Sequence, residues 1–392
     1  MNRFKKKNEI WPIVSSQEKK IINKVLNSNN LNYWTGKNCK LFEKEYSKFF
    51  EKKFGVSVCN ASVALDISLK ALNLPTGSEV IVSPRSYISS ASCVLNNNLK
   101  PVFADIELNS QNMCPKSIKQ LISQKTKVII LVHLSGYPCE MNEILAIAKK
   151  KKIILIEDCS QSHGAKYHDK YTGSFGDIAI WSFCNDKIIN TLGEGGMICV
   201  NDKKIYKRLW SLKDCGKNFD KIINKSTNTY NFKWVHDFTG TNLRMTEVQA
   251  SVGRYQLKKL LNFIKIRKRN ADIIYNVLKS SKIAKIPKIP SYISHSFYRC
   301  NVILNKDKIK RNWSKKKIIK YLNLNGVACN SGSCPEIYKE RVFQNQGYKI
   351  KRENAKKINQ SNISFMVHPT ISLQSMKLKA NRIREVFLKA EI

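Results

Sequence analysis

From about residue 55 onward, short apolar runs alternate with longer amphipathic stretches. The runs lie at residues 56–59, 79–82, 101–104, 127–132, 153–156, 178–181 and 197–200. Between several of them, residues 61–72, 117–123 and 141–150 place apolar side chains at helical spacing. Strands that alternate with helices predict a mostly parallel sheet covered on both faces. Seven runs suffice for one large α/β unit reaching about residue 250, and no internal repeat is visible.

The flanking pattern is different. Residues 17–26 form a weakly amphipathic helix after Trp11-Pro12, and residues 32–38 have a loop composition around Gly36. In residues 40–53, Leu41, Phe42, Tyr46, Phe49 and Phe50 recur at helical spacing, so this helix lays an aromatic face on the core. Residues 246–279 read as one long helix, or two with a break, on Val248, Val252, Tyr255, Leu257, Leu260, Leu261 and Ile264. Pro287 and Pro290 punctuate a loop. Residues 296–392 then alternate shorter strands and helices, with a strand over 297–304 and a helix over 314–326 that stops at Gly326. The expected division is a segment 1–30 packed near a smaller C-terminal α+β domain, a large domain 31–250, and a linking helix with the smaller domain over 251–392.

Composition narrows this picture. A chain of 392 residues is too long for one small core. The formal net charge is +40, but the lysines are spread along the whole chain. There is no RNA-binding or helix-turn-helix signature and no basic tail, so the charge alone does not make this a nucleic-acid-binding protein or a non-catalytic regulator. Twelve Cys occur singly, with no C-x-x-C pair, which fits free thiols in a reducing compartment. Six His show no zinc-like spacing, so no metal is expected. No apolar run approaches the roughly 18 residues of a membrane span. Residues 1–14 have a basic start without an apolar run after it, so no signal peptide is expected and the cytoplasm is the default location.

The chemistry concentrates in residues 156–196. One apolar run leads into Glu157 and Asp158. Another ends in Ser182, followed by Lys187 and the glycines Gly193, Gly195 and Gly196. Open α/β sheets bind ligands just past strand ends. An acid and a lysine placed there suit pyridoxal phosphate (PLP), whose sites pair a Schiff-base Lys with an acid for the pyridinium nitrogen. Asp158 is preferred over Glu157, because neighbouring strand residues face opposite ways; a helix cap is the alternative role for Asp158. Residues 59–65 leave a strand and open a helix, whose start can hold a phosphate with help from the Ser62 hydroxyl and from Ser182, or can be a plain capped helix. Tyr87 follows the next strand end and suits either a stacked ring or an interface. Asn242 and Arg244 precede the long helix in a polar loop that fits a phosphate or a turn.

These residues resemble the DegT/DnrJ/EryC1/StrS group of PLP-dependent sugar aminotransferases. The likeness runs through YWTGKNCKLFEKEY, CNASVALDISLKAL, GSEVIVSPRSYISSAS, KPVFADIE, VHLSGYPCEMNEILAIAKK, IEDCSQSHGA, GSFGDIAIWSFCNDK, GEGGM and GTNLRMTEVQASVGRYQL. The resemblance implies the type I aminotransferase fold, with PLP held covalently at Lys187. It places Asp158 on the ring nitrogen, Gln161 beside the ring hydroxyl and Tyr87 over the ring. The Ser62 and Val63 amides and the Ser182 hydroxyl go to the phosphate. Asn242 reaches the phosphate of a neighbouring subunit, which implies a homodimer with shared sites. Dehydratases of this group carry histidine in place of the lysine, so Lys187 points to amino transfer. The implied reaction moves an amino group from an amino acid, L-glutamate, to a nucleotide-activated 4-keto-6-deoxy sugar for surface polysaccharide or glycan. A 3-keto sugar or a keto octulosonate is the alternative acceptor. The departure is Ala61-Ser62 where the group has Gly-Thr. Cys334, Glu336 and His368 are candidates for the substrate end of the site.

Overall fold

The computed structural model describes residues 9–223 and 234–392. The basic start at residues 1–8, part of the expected 1–30 segment, lies outside the described residues, as do residues 224–233 of the expected 31–250 unit.

Among the described residues, seven strands form the large sheet in the order Phe54–Val58, Gly196–Val200, Ile178–Ser182, Ile154–Asp158, Thr126–Val132, Glu79–Val82, Lys100–Phe103. Four neighbouring pairs are parallel. The two pairs made by Gly196–Val200 are antiparallel. The mostly parallel sheet is as the alternation predicted, and it fits the type I aminotransferase fold that the resemblance implied.

Alternation along each strand explains how both faces are covered. Val80, Val82, Val128, Ile130, Ile156, Ile178 and Ile180 join the helix Ala61–Leu72 in one core. On the opposite face, Ile81, Ile129, Leu131 and Leu155 pack with Met141 and Ile144. Also on that side, Ala179, Trp181 and Met197 meet Phe42 and Tyr46 of the helix Asn38–Phe49. Strands buried on both faces carry unbroken runs such as the fully buried Ile178–Ser182, as parallel sheets require.

The antiparallel strand sets up the site. Parallel neighbours need a crossover, whereas antiparallel neighbours can be joined by a short return. Residues 183–195 make that return directly from Ile178–Ser182 into Gly196–Val200, so Lys187 stays over the C-terminal ends of the parallel strands. Gly196 is required where it stands: an added Cβ would come 2.6 Å from the Asn60 carbonyl carbon and 2.9 Å from the Ala61 nitrogen.

The long helix runs unbroken over Glu247–Leu278, started by a capping box of Thr246 and Gln249. Its first half packs through Ala250, Leu257 and Leu260 on the large sheet's core. Its second half places Ala271, Ile274, Tyr275 and Leu278 in a separate core. That second core covers a four-stranded antiparallel sheet ordered Ala284–Lys285, Cys300–Leu304, Asn362–Phe365, Cys329–Asn330. A small ribbon pairs Ile293–Ser294 with Lys166–Tyr167 and ties the two layers together. Helix Ser16–Asn27 lies along the long helix, with Glu18 accepting from Gln256 Nε2 at 2.8 Å. Glu9 pairs with Lys379 of the helix Leu373–Ala390 at 2.7 Å. All twelve Cys are free thiols. No described helix is long and apolar enough to cross a membrane.

Candidate active site

The strand Ile154–Asp158 runs two residues past the expected apolar run 153–156, so the two carboxylates are its last residues rather than lying beyond it. They face opposite ways. Glu157 is fully buried and accepts from the Gly173, Phe175 and Gly176 N–H groups at 2.8, 2.9 and 2.6 Å. Burial alone would push its carboxyl up, but His133, the Gly176 amide and Lys52 outweigh burial and hold it below the usual range. Glu157 therefore locks the 173–176 loop under the sheet.

His133, Glu157 and Cys159 bring three potential metal-ligand atoms together. His133 Nδ1 accepts the Cys139 N–H at 3.0 Å, which leaves Nε2 carrying the proton that goes to Glu157 at 3.0 Å. Both ring nitrogens are thus occupied by hydrogen bonds, and burial pushes the Cys159 thiol up.

Asp158 faces a cavity of about 870 Å³ at the strand ends. Its carboxylate accepts from the Ser90 hydroxyl at 2.9 Å and the Ser160 N–H at 3.1 Å. Gln161, Ser182, Lys187, Ser62, Val63 and Tyr87 line the same cavity. Seven of the eight residues that the resemblance assigns to the cofactor are thus brought to one place. The eighth, Asn242, does not line the cavity of its own chain. It is exposed, bridges Asp214, and turns its side-chain oxygen to the Arg244 N–H at 3.4 Å.

At the helix Ala61–Leu72, the Asn60 side chain caps the Val63 N–H at 3.0 Å. Val63 thus donates to its own cap, while the Ala61 and Ser62 N–H groups have no carbonyl of the helix to bond. Ala61 is the first helical residue and needs no positive φ, so alanine fits where the group has glycine. Cys334 lines the cavity. Glu336 turns instead to Tyr338 and Asn359 at 2.8 and 2.9 Å, and His368 stacks near Trp11, away from the cavity lining.

The environment of Lys187 was not visible in the sequence pattern. Its amine lies 3.4 Å from Asp186 and 5.1 Å above the Tyr298 ring. Asp186 also accepts from Arg299 at 2.9 Å and from the Tyr298 hydroxyl. Burial lowers the affinity of the amine for its proton, but Tyr298 and Asp186 more than offset burial, and the amine is held above its ordinary value. Burial would push Asp186 up, and Lys187, Tyr298 and Arg299 hold it down. Tyr298 and Arg299 are adjacent to the strand Cys300–Leu304, far along the chain, so only the fold brings them to the lysine. His163, also buried near Lys187, is kept neutral: burial and the Lys187 charge push it down to about 3.

Because Asp186 helps to hold the Lys187 amine above its ordinary value, removing that charge has a predictable sign. In Asp186→Asn one of the groups that raise the amine is gone, so its midpoint moves to lower pH. For every pH unit that the midpoint falls, about tenfold more free amine is present at neutral pH. Reaction with a small aldehyde, followed as rate against pH, should show a lower midpoint and a faster rate near neutrality. An unchanged or higher midpoint contradicts this account of the pair.

Comparison with known proteins gives concordant results. A sequence model of the DegT/DnrJ/EryC1/StrS aminotransferase family matches residues 12–383. GDP-perosamine synthase of Escherichia coli O157:H7 is 33% identical over 295 residues, covering 74% of this chain and 76% of that protein. The crystal structure of an aminotransferase from Psychrobacter cryohalolentis superposes with a TM-score of 0.94 at 37% identity, covering 97% of this chain and 99% of the other. E. coli GDP-4-keto-6-deoxy-D-mannose-3-dehydratase, solved with bound hydrated PLP, has a TM-score of 0.84 at 27% identity, covering 96% of this chain and 99% of the other.

Proposed function

This chain belongs to the DegT/DnrJ/EryC1/StrS aminotransferase family, and from that premise we propose that it moves an amino group from L-glutamate to a nucleotide-linked 4-keto-6-deoxy sugar. It is a PLP-dependent sugar aminotransferase. The observation that carries the reading is the meeting of Lys187 and Asp158 at one cavity that also takes in the start of the helix Ala61–Leu72. The donor set suits PLP: an amine for its aldehyde, a carboxylate held in place for its ring nitrogen, and free N–H groups and hydroxyls for its phosphate. When bound, PLP supplies an aldehyde carbon and a ring that accepts electrons.

The chain's own residues do the rest. Asp158, fixed by Ser90 and Ser160, keeps a proton on the ring nitrogen. Gln161 Oε1 accepts the Ser135 N–H at 2.8 Å, so its NH₂ group is the end left to donate to the ring hydroxyl. Ser62, Ser182 and the helix start hold the phosphate, together with Val63 once Asn60 releases its N–H. Tyr87 covers the ring. Lys187 Nζ, once free of Asp186, would take the proton from the donor's α-carbon and hand it, on the same face, to the carbon that PLP contributes as its aldehyde. With histidine here the amine for this transfer would be missing, and dehydration would be the reaction expected.

Asn242 reaches a second copy's phosphate site, making the enzyme a homodimer with shared sites. The seven-stranded layer is a cofactor-binding domain and the four-stranded layer a smaller domain that closes over substrate. The enzyme works in the cytoplasm, in surface polysaccharide or glycan synthesis.

The test is a colour assay. Purified protein loaded with PLP should absorb in the visible and lose that band when L-glutamate is added. A panel of 4-keto-6-deoxy nucleotide sugars, a 3-keto nucleotide sugar and a keto octulosonate should then show the 4-keto arm restoring the colour. Restoration by another arm alone reassigns the acceptor, and a protein that takes up no PLP contradicts the reading altogether.

A further inference from the structure

A chain of buried polar groups links two parts of the cavity lining. It starts at Arg85, which is 1% exposed. Arg85 Nε donates to Gln111 Oε1 at 2.9 Å, and Arg85 Nη1 donates to the Ser333 carbonyl at 3.0 Å. Gln111 Nε2 donates to Asn362 Oδ1 at 2.8 Å. Asn362 Nδ2 donates to Asn301 Oδ1 at 3.4 Å and to the Ser331 carbonyl at 3.1 Å. Asn301 Nδ2 donates to the Ser135 hydroxyl at 2.9 Å. Ser135 N–H then donates to Gln161 at 2.8 Å. Gln111, Asn362, Asn301, Ser135 and Gln161 are all buried.

The direction of this chain is forced. A guanidinium can only donate, so Gln111 must turn its oxygen to Arg85 and its nitrogen away. That choice passes to Asn362, then to Asn301, and ends at the Ser135 hydroxyl. Burial pushes Arg85 down to about 10, still far above neutral, so the charge that sets the direction persists. In a low-dielectric interior such bonds reinforce one another, and a broken member leaves its neighbours unpaired.

Two members stand in the left-handed backbone region that non-glycine residues rarely adopt: Gln111 at φ 62° and Ser135 at φ 58°. Such strain persists only where the surroundings impose it. At Ser135 it aims the backbone N–H at Gln161 while the side chain faces Asn301. The chain crosses between layers: Gln111, Ser135 and Gln161 belong with the large sheet, whereas Asn301 and Asn362 are strand residues of the four-stranded sheet. Both of its ends reach the cavity lining, one at Ser333 beside Cys334 and one at Gln161.

We propose that Asn301 and Asn362 are positioning residues, which use this one-way chain to fix Gln161 and the 331–334 loop at the cofactor cavity from the neighbouring sheet. The proposal rests on the PLP reading above. Neither residue lines the cavity, so each acts through others.

The test uses the full-length protein with PLP as probe. Asn301→Ala and Asn362→Ala should each weaken PLP binding about tenfold, read by fluorescence at a temperature well below melting. Both should raise amide hydrogen exchange in the peptide carrying Ser135, and Asn362→Ala also in the peptide carrying residues 331–334. Asn301→Asp, which keeps the shape, still accepts from Asn362 Nδ2 and can accept from the Ser135 hydroxyl turned round, should recover binding to within about threefold. Val302→Ala, from the same strand but in the apolar core, should lower the melting temperature and leave PLP affinity and Ser135 exchange unchanged. If both alanine variants behave like Val302→Ala, the chain only stabilises the fold and the proposal is overturned. If the unmodified protein fails to bind PLP, the cofactor reading fails instead.

Discussion

Lys187→Ala is expected to end amino transfer, with turnover down by at least about 10⁴-fold, while the protein stays folded and still takes up PLP without a covalent link. The size follows from two losses at once. The variant has no amine to join the aldehyde, and no group at that place to carry the proton between two carbons. The fold should tolerate the change, because Lys187 sits on a short return rather than in a strand, and its partners keep others. Asp186 retains Arg299 and the Tyr298 hydroxyl. Single-turnover mixing with L-glutamate checks this, and turnover near that of the unchanged enzyme would mean that another lysine does the work.

Asp158→Asn is expected to lower kcat/KM by about 10²–10⁴-fold with only a small change in melting temperature. An amide has the shape of the carboxylate. Its oxygen can keep the Ser160 N–H, and the Ser90 hydroxyl can turn to accept from its nitrogen. What it lacks is the charge that keeps a proton on the ring nitrogen, and without that proton the ring is a poor electron acceptor. Steady-state kinetics alongside thermal melting separate the two effects. A variant that melts early and keeps its activity would place Asp158 among the structural acids, where its neighbour Glu157 belongs.

That contrast shows what the sequence carried. Two adjacent acids at the end of an apolar run must face opposite ways, so only one can meet the site, and the coupling to Lys187 together with the resemblance favoured Asp158 over Glu157. The structure supplies what each faces: Glu157 meets three loop amides and His133. The seven strands were legible because burial on both faces makes continuous apolar runs. The long helix was legible for its spacing, although its lack of a break was not, since the apolar stripe is interrupted between the two cores, where the buried position is Arg267. Asp186 and the Tyr298–Arg299 pair were missed for different reasons. Asp186 is one more charge in a polar loop. Tyr298 and Arg299 lie over a hundred residues away, and only the packing of the two sheets brings them to Lys187. The amide chain from Arg85 to Gln161 is invisible for the same reason: its members are ordinary polar residues until the fold buries them together.

The central claim is that Lys187 is the residue that holds the cofactor. Borohydride fixation of the PLP-loaded protein, followed by peptide mapping by mass spectrometry, tests it directly. The account predicts one dominant phosphopyridoxyl adduct, on the peptide that carries Lys187, and its loss in Lys187→Ala. A dominant adduct on any other lysine, or none in protein shown to bind PLP, contradicts it.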